Sequence, residues 1–81
     1  MKIRIKAFAG VKDQLGFDEK ELTVSQGISV AEVITMLEKC YPAVASIKSN
    51  LLYACNEEYC GGETVLGEGD TLAIFPHVSG G

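Results

Sequence analysis

The sequence lacks several features that would point to common classes of protein. No apolar run approaches the roughly 18 residues that a membrane-spanning helix needs. The charge balance has no basic excess, and the net charge of −4 argues against binding to nucleic acid or to an anionic membrane surface. The segment from Met1 to Lys6 alternates and has no apolar core of a signal peptide, so we expect a cytoplasmic protein.

Catalytic and metal-binding patterns are also missing. We find no convincing general base, no glycine-rich phosphate loop and no CxxC pair. The three cysteines, Cys40, Cys55 and Cys60, lack a histidine at ligand spacing, which makes a zinc site unexpected. We expect three reduced, mostly buried thiols. A second interpretation is that Cys55 and Cys60 face each other across a hairpin and form a disulfide on oxidation.

The first third of the chain predicts a β-hairpin. Residues Lys2 to Phe8 alternate with Ile3, Ile5 and Ala7 on one face, which is typical of a half-buried strand. Phe8 falls on the polar face. A short helix or turn from Ala9 to Leu15 should end at Gly16, and Glu19 to Val24 should form the second strand.

The middle of the chain predicts one main helix. Ser29 and Glu32 have the spacing of a capping box, in which each side chain binds the other residue's backbone N–H. The apolar positions that follow have helical spacing, and Pro42 should stop the helix. These core positions are Val30, Val33, Ile34, Leu37 and Tyr41.

The rest of the folded part predicts further strands of an α+β domain. After an irregular or briefly helical Ala43–Asn50 come strands at Leu51–Asn56 and Thr71–Phe75, the last ending at Pro76, with a short strand expected within Tyr59–Val65 between them. If the first and last strands are parallel neighbours, the helix covers one face of a mixed sheet of four to five strands, the ubiquitin-like β-grasp arrangement. We therefore expect a β-grasp domain over 1–76 and an extended tail over 77–81.

The tail ends on Gly80-Gly81. A backbone without Cβ atoms can pass through a narrow channel and leave the Gly81 carboxylate open to chemistry. Fully extended, residues His77 to Gly81 would reach about 16–18 Å, enough to enter another protein's active site. The alternative is a frayed terminus without a function.

Three segments resemble the small, sulfur-carrying subunits of molybdopterin synthase. They are Phe8–Gly16 after the first strand, Asn56 at the end of the third, and the long block Leu66–Gly81. That block ties the terminal glycines to a turn, a strand and a Phe-Pro pair. His77 departs from the pattern, because a second proline is common at this position in the family.

The resemblance implies a sulfur carrier without an active site of its own. A ubiquitin-activating-like adenylyltransferase would use ATP to adenylate the Gly81 carboxylate, and a sulfur donor would convert it to a thiocarboxylate. The large synthase subunit would accept the tail in a heterotetramer of two small and two large subunits. Sulfur would pass to cyclic pyranopterin monophosphate, with no metal and no cofactor bound to this chain.

The expected site residues follow from this scheme. Val78, Ser79 and Gly80 would thread the partner's channel, and Gly81 would carry the sulfur. Phe8, Phe75, Pro76 and His77 would contact the partner, because Phe8 and Phe75 form an exposed apolar patch if their strands are neighbours. The alternative for these two rings is a place in the core.

Two other functions remain open from the sequence. One is a β-grasp sulfur carrier for thiamine synthesis, tRNA thiolation or cysteine synthesis. The other is a ubiquitin-like modifier whose tail is joined to lysines of target proteins. The Gly80-Gly81 ending does not separate these from molybdopterin synthesis.

Overall fold

The computed structural model describes residues 1–76, which contain five strands and two α-helices. The strands are β1 (Lys2–Ala7), β2 (Glu19–Thr23), β3 (Leu51–Cys55), β4 (Glu58–Cys60) and β5 (Thr71–Pro76). The helices are α1 (Ala9–Leu15) and α2 (Val30–Cys40), and two short 3₁₀ helices, Pro42–Ser46 and Lys48–Asn50, lead from α2 to β3.

The strands form one mixed sheet in the order β2-β1-β5-β3-β4. β1 and β5 are central and parallel, with Ile5 opposite Leu72, and all other neighbours are antiparallel. The first and last strands are therefore parallel neighbours, as the sequence predicted. The β-grasp fold is confirmed, with five strands in the sheet.

The core lies between the sheet and the helices. Inward-facing Ile5 and Leu72 from the two central strands are fully buried and belong to the same cluster as Val30 and Val33 of α2. The capping box that begins α2 is present, since the Ser29 hydroxyl accepts from Glu32 N–H and the Glu32 carboxylate accepts from Ser29 N–H. Burial of these branched side chains is the main force that holds the helix on the sheet.

Several boundaries differ from the prediction. Phe8 is not in a strand: it is the residue immediately before α1, and its N–H donates to the Ile74 carbonyl. The short strand expected within Tyr59–Val65 is β4, which begins one residue earlier, at Glu58, and ends at Cys60, where Gly61-Gly62 follows. Val65 instead forms an isolated bridge with Ser29.

The expectation of mostly buried cysteines is wrong, and so is the proposed pairing across the hairpin. Cys40 is exposed, Cys55 and Cys60 are half-buried, and all three are free thiols. The register places Cys55 opposite Glu58 and Cys60 opposite Tyr53. The two cysteines are therefore diagonal neighbours across β3 and β4 and do not face each other directly. A two-residue turn sets this register, and a one-residue shift would move every side chain to the other face.

Residues 1–76 contain no group of three histidine, cysteine or acidic side chains placed to hold a metal ion. Over the same residues, neither helix combines the length and the apolar content needed to cross a lipid bilayer.

Candidate functional site

The sheet has a second face that the helices leave open. Because side chains alternate along a strand, burial of Ile5 and Leu72 on the helix side turns Lys6 and Ala73 to the other side. The same alternation in β3 and β4 pairs Ala54 with Tyr59 on this open face. Large apolar side chains exposed here are Phe8, Leu52 and Tyr59.

Two aromatic rings stack where β5 ends. The Phe8 and Phe75 ring centroids are 4.7 Å apart with an angle of 10° between the planes. Tyr59 approaches the Phe75 ring from β4, with centroids 6.3 Å apart. We call Phe8, Phe75 and Tyr59 the aromatic patch.

The exposure of Phe8 and Phe75 decides whether these rings form an exposed patch or belong to the core. Phe8 is 42% exposed, Phe75 is half-buried, and neither belongs to the core cluster. The sequence therefore placed Phe8 on the correct face. It missed Tyr59, which is 77% exposed, because the alternation of β4 is too short to read over Glu58–Cys60.

The aromatic patch borders a shallow groove of about 560 Å³. Ala54 and Ala73, adjacent across β3 and β5, contribute small side chains to its lining, and the larger rings rise around them. Lys6 lines the groove from β1, and Glu57 lines it from the turn after β3. The groove thus combines apolar walls with one cationic and one anionic side chain, as protein-binding sites often do.

A polar clasp fixes where β5 begins. The Asn56 side chain donates to the Asp70 carboxylate at 3.0 Å and accepts from Thr71 N–H at 3.0 Å. Asp70 also accepts from Gly67 N–H at 2.7 Å. The hydrogen bond from Asn56 first, and then that from Gly67, lowers the pKa of Asp70 below its ordinary value. The clasp holds β5 in register, and so fixes where Phe75 and Pro76 lie.

The cysteine nearest the clasp is not activated. Burial, followed by the negative charge of Asp70, raises the pKa of the Cys55 thiol. A raised pKa keeps a thiol protonated at neutral pH, and the protonated form is a poor nucleophile. Cys55 is therefore not a candidate for nucleophilic catalysis.

Backbone strain lies next to the same groove. Three non-glycine residues of the described chain have positive φ: Ala9 at 51°, Asn56 at 51° and Glu57 at 73°. Ala9 follows Phe8, and the other two line the groove. Such backbone conformations tend to occur at functional sites.

The predicted tail residues lie mostly outside the described part. Pro76 is the last residue of β5 and pairs with Leu51, the first residue of β3, at the end of the sheet nearest the aromatic patch. His77, Val78, Ser79, Gly80 and Gly81 lie outside the described residues, so their expected roles stay predictions.

Comparison with known families identifies the chain. The model of the ThiS family matches residues 5–81, nearly the whole sequence. The chain belongs to the ThiS family. Similar proteins include two named "Molybdopterin synthase sulfur carrier subunit". The one from Chlamydomonas reinhardtii is 28% identical, with 100% of both chains covered. The one from Mycobacterium tuberculosis is 30% identical, with 100% of this chain and 99% of that protein covered.

Solved structures agree with the ThiS family fold. The small archaeal modifier protein 1 of Methanosarcina acetivorans is 28% identical, with a TM-score of 0.81, and 99% of this chain and 96% of that chain are covered. A chain in the complex of subunits 1 and 2 of molybdopterin-converting factor from Helicobacter pylori has a TM-score of 0.72 at 17% identity, with 100% of both chains covered. At that identity the likeness concerns the fold alone.

Proposed function

We propose that this chain is the sulfur carrier subunit of a molybdopterin synthase. The observation that carries the proposal is the full-length similarity to proteins of that name, within a family match that extends through Gly81. The described geometry is compatible with it, because β5 leads toward the tail beside an exposed aromatic patch.

The proposed chemistry takes place at the Gly81 carboxylate. A carboxylate oxygen is a poor leaving group, so a ubiquitin-activating-like adenylyltransferase first joins it to AMP and releases pyrophosphate from ATP. A sulfur donor then displaces AMP and leaves a thiocarboxylate, which is ionised at neutral pH and is a soft nucleophile, as thiolates are. In this scheme ATP binds to the partner, and this chain binds no cofactor.

The proposed role of the domain is to bind the large subunit and to direct the tail into its channel. Phe8, Phe75, Pro76 and His77 contact the large synthase subunit, while Val78, Ser79 and Gly80 pass along its channel. The large subunit transfers sulfur from two such tails to cyclic pyranopterin monophosphate, in a heterotetramer of two small and two large subunits in the cytoplasm. Catalytic groups in this scheme belong to the partners.

Intact mass spectrometry tests the proposal. After incubation with the adenylyltransferase, ATP and a sulfur source, the chain should gain the mass of one oxygen-to-sulfur replacement. Adding the large subunit and cyclic pyranopterin monophosphate should return the original mass and produce molybdopterin.

The control is a chain that lacks Gly81 or has one residue added after it. Either change moves the terminal carboxylate by about 3.5 Å, which should abolish transfer while the fold is kept. Molybdopterin formation by these variants would refute the proposal, and a ladder of conjugates on other proteins would favour a modifier instead.

A further inference from the structure

The turn between β3 and β4 has an unfavourable residue at its second position. Asn56 and Glu57 form a two-residue hairpin loop, and both have positive φ, 51° and 73°. Such loops favour asparagine followed by glycine, since asparagine tolerates the left-handed region and glycine has no Cβ. Asn56 fits this preference. Glu57 places a long side chain where the backbone itself favours glycine.

No salt bridge within residues 1–76 offsets this strain. The ion pairs of the described chain join other residues, and none involves Glu57 or Lys6. The hydrogen bonds of the polar clasp involve Asn56, Asp70, Thr71 and Gly67, and none involves the Glu57 side chain. Glu57 is exposed, so burial does not hold it either.

The position of Glu57 allows its carboxylate to contact a protein bound in the groove. Glu57 and Lys6 both line the groove, Glu57 from the turn after β3 and Lys6 from β1, and β5 lies between β3 and β1. Lys6 is level with Ala54 across β5, and Glu57 lies three residues beyond Ala54, so the backbones of Lys6 and Glu57 are farther apart than the roughly 10 Å of two strand spacings. The groove therefore presents an apolar surface between an anionic and a cationic side chain.

The geometry points to Glu57 as a specificity-determining residue for the protein that docks in the groove. That partner presents a large apolar side chain to the surface around Ala54 and Ala73, with an arginine or lysine toward Glu57 and a carboxylate toward Lys6. The inference rests on the proposed function, in which this partner is the large synthase subunit. Charge complementarity of this kind selects the partner and its orientation.

Three substitutions of Glu57 distinguish the effect of its backbone strain from the effect of its charge. Glu57→Gly relieves the strain, so its melting temperature should rise by about 2–5 °C, with part of the gain offset by glycine's freedom in the unfolded chain. Glu57→Gln keeps the strain and loses the charge, so its melting temperature should stay within about 1 °C of wild type. Both should bind the large subunit about three- to tenfold more weakly, and Glu57→Lys more weakly still.

The matched control is Glu58→Gln. It removes the same charge from the neighbouring residue. Glu58 is the cross-strand partner of Cys55, and both lie on the helix side of the sheet, away from the groove, so binding should not change. The loss caused by Glu57→Gln should also shrink at about 1 M salt, where exposed charges are screened beyond roughly 3 Å.

Binding by titration calorimetry, with melting by circular dichroism, decides the inference. Wild-type affinity in Glu57→Gln, an equal loss in Glu58→Gln, or no rise in the melting temperature of Glu57→Gly would each overturn it. These results would leave the proposed function intact as long as Phe75→Ala weakens binding. Unchanged binding in Phe75→Ala would instead refute the docking surface itself.

Discussion

Replacing Phe75 with alanine removes the central ring of the aromatic patch. The ring stacks on Phe8 at 4.7 Å and lies 6.3 Å from Tyr59, and it is half-buried. A stacked pair contributes about 0.5–1.5 kcal/mol beyond area burial. Since a fully buried Phe→Ala change costs about 3–5 kcal/mol, we expect about 1–2 kcal/mol here. That lowers the melting temperature by roughly 4–16 °C for a domain of this size and leaves it folded at 25 °C.

The effect on binding should be larger than the effect on folding. An aromatic anchor near the centre of an interface typically contributes at least about 2 kcal/mol, which corresponds to roughly a 30-fold weaker complex. Titration calorimetry with the large subunit at 25 °C measures this directly. Phe8→Ala should behave similarly, and the double variant should cost less than the sum because the two rings contact each other.

Met36→Ala is the control for the loss of an exposed apolar side chain. Met36 is 37% exposed and lies on α2, a different element from the groove. Its replacement should leave binding unchanged. A folded Phe75→Ala protein that binds within about threefold of wild type would refute the argument, because such a small change is outside the range of an interface anchor.

Two further predictions concern the tail and the polar clasp. Gly80→Ala should leave the melting temperature unchanged and slow adenylation or sulfur transfer by about 100-fold, because a methyl group in a channel shaped for bare backbone displaces the reacting carboxylate; wild-type rates in both steps would contradict passage through such a channel. The lowered pKa of Asp70 means that its stabilising effect is present above the unfolded pKa, near 4, and is lost as pH falls through the lower folded value. Asp70→Asn should therefore destabilise the fold at pH 7, by no more than about 1 kcal/mol because these hydrogen bonds are exposed to solvent, and should flatten the acid side of the stability profile in urea unfolding. An unchanged acid slope would contradict this role.

The sequence predicted those elements whose signals are local. The alternation in β1 identified its buried face, and the Ser29–Glu32 spacing located the start of α2. Gly16, with φ of 82°, ends α1 as expected, because the left-handed conformation suits glycine. Each of these signals lies within one turn or one strand and needs no distant partner.

The errors fall at turns and boundaries whose backbone conformation is not marked by a glycine or proline in the sequence. Asn56-Glu57 lacks the glycine that marks a two-residue hairpin, so the register of β3 with β4 was not readable, and the second interpretation of the cysteines placed Cys55 directly across from Cys60. Phe8 continues the alternation of β1 but begins a helix instead, because its neighbour Ala9 adopts positive φ. Tyr59 joins the aromatic patch only through the pairing of β4 with β3.

The two faces of the sheet have different roles, since the helix side forms the core and the open side carries the groove. This division suits a sulfur carrier. Cys55 and Cys60 pack against the core cluster on the helix side, whereas the groove and the exit of β5 toward the tail lie on or beside the open face. Burial and Asp70 keep Cys55 protonated, so it competes poorly for an activated carboxyl group. A carrier of the proposed kind needs its sulfur on Gly81 and no reactive thiol beside the docking surface. The pairing of β3 with β5 meets this need, because it sets Cys55 beside the buried Leu72, and a shift of β3 by one residue would turn that thiol toward the groove.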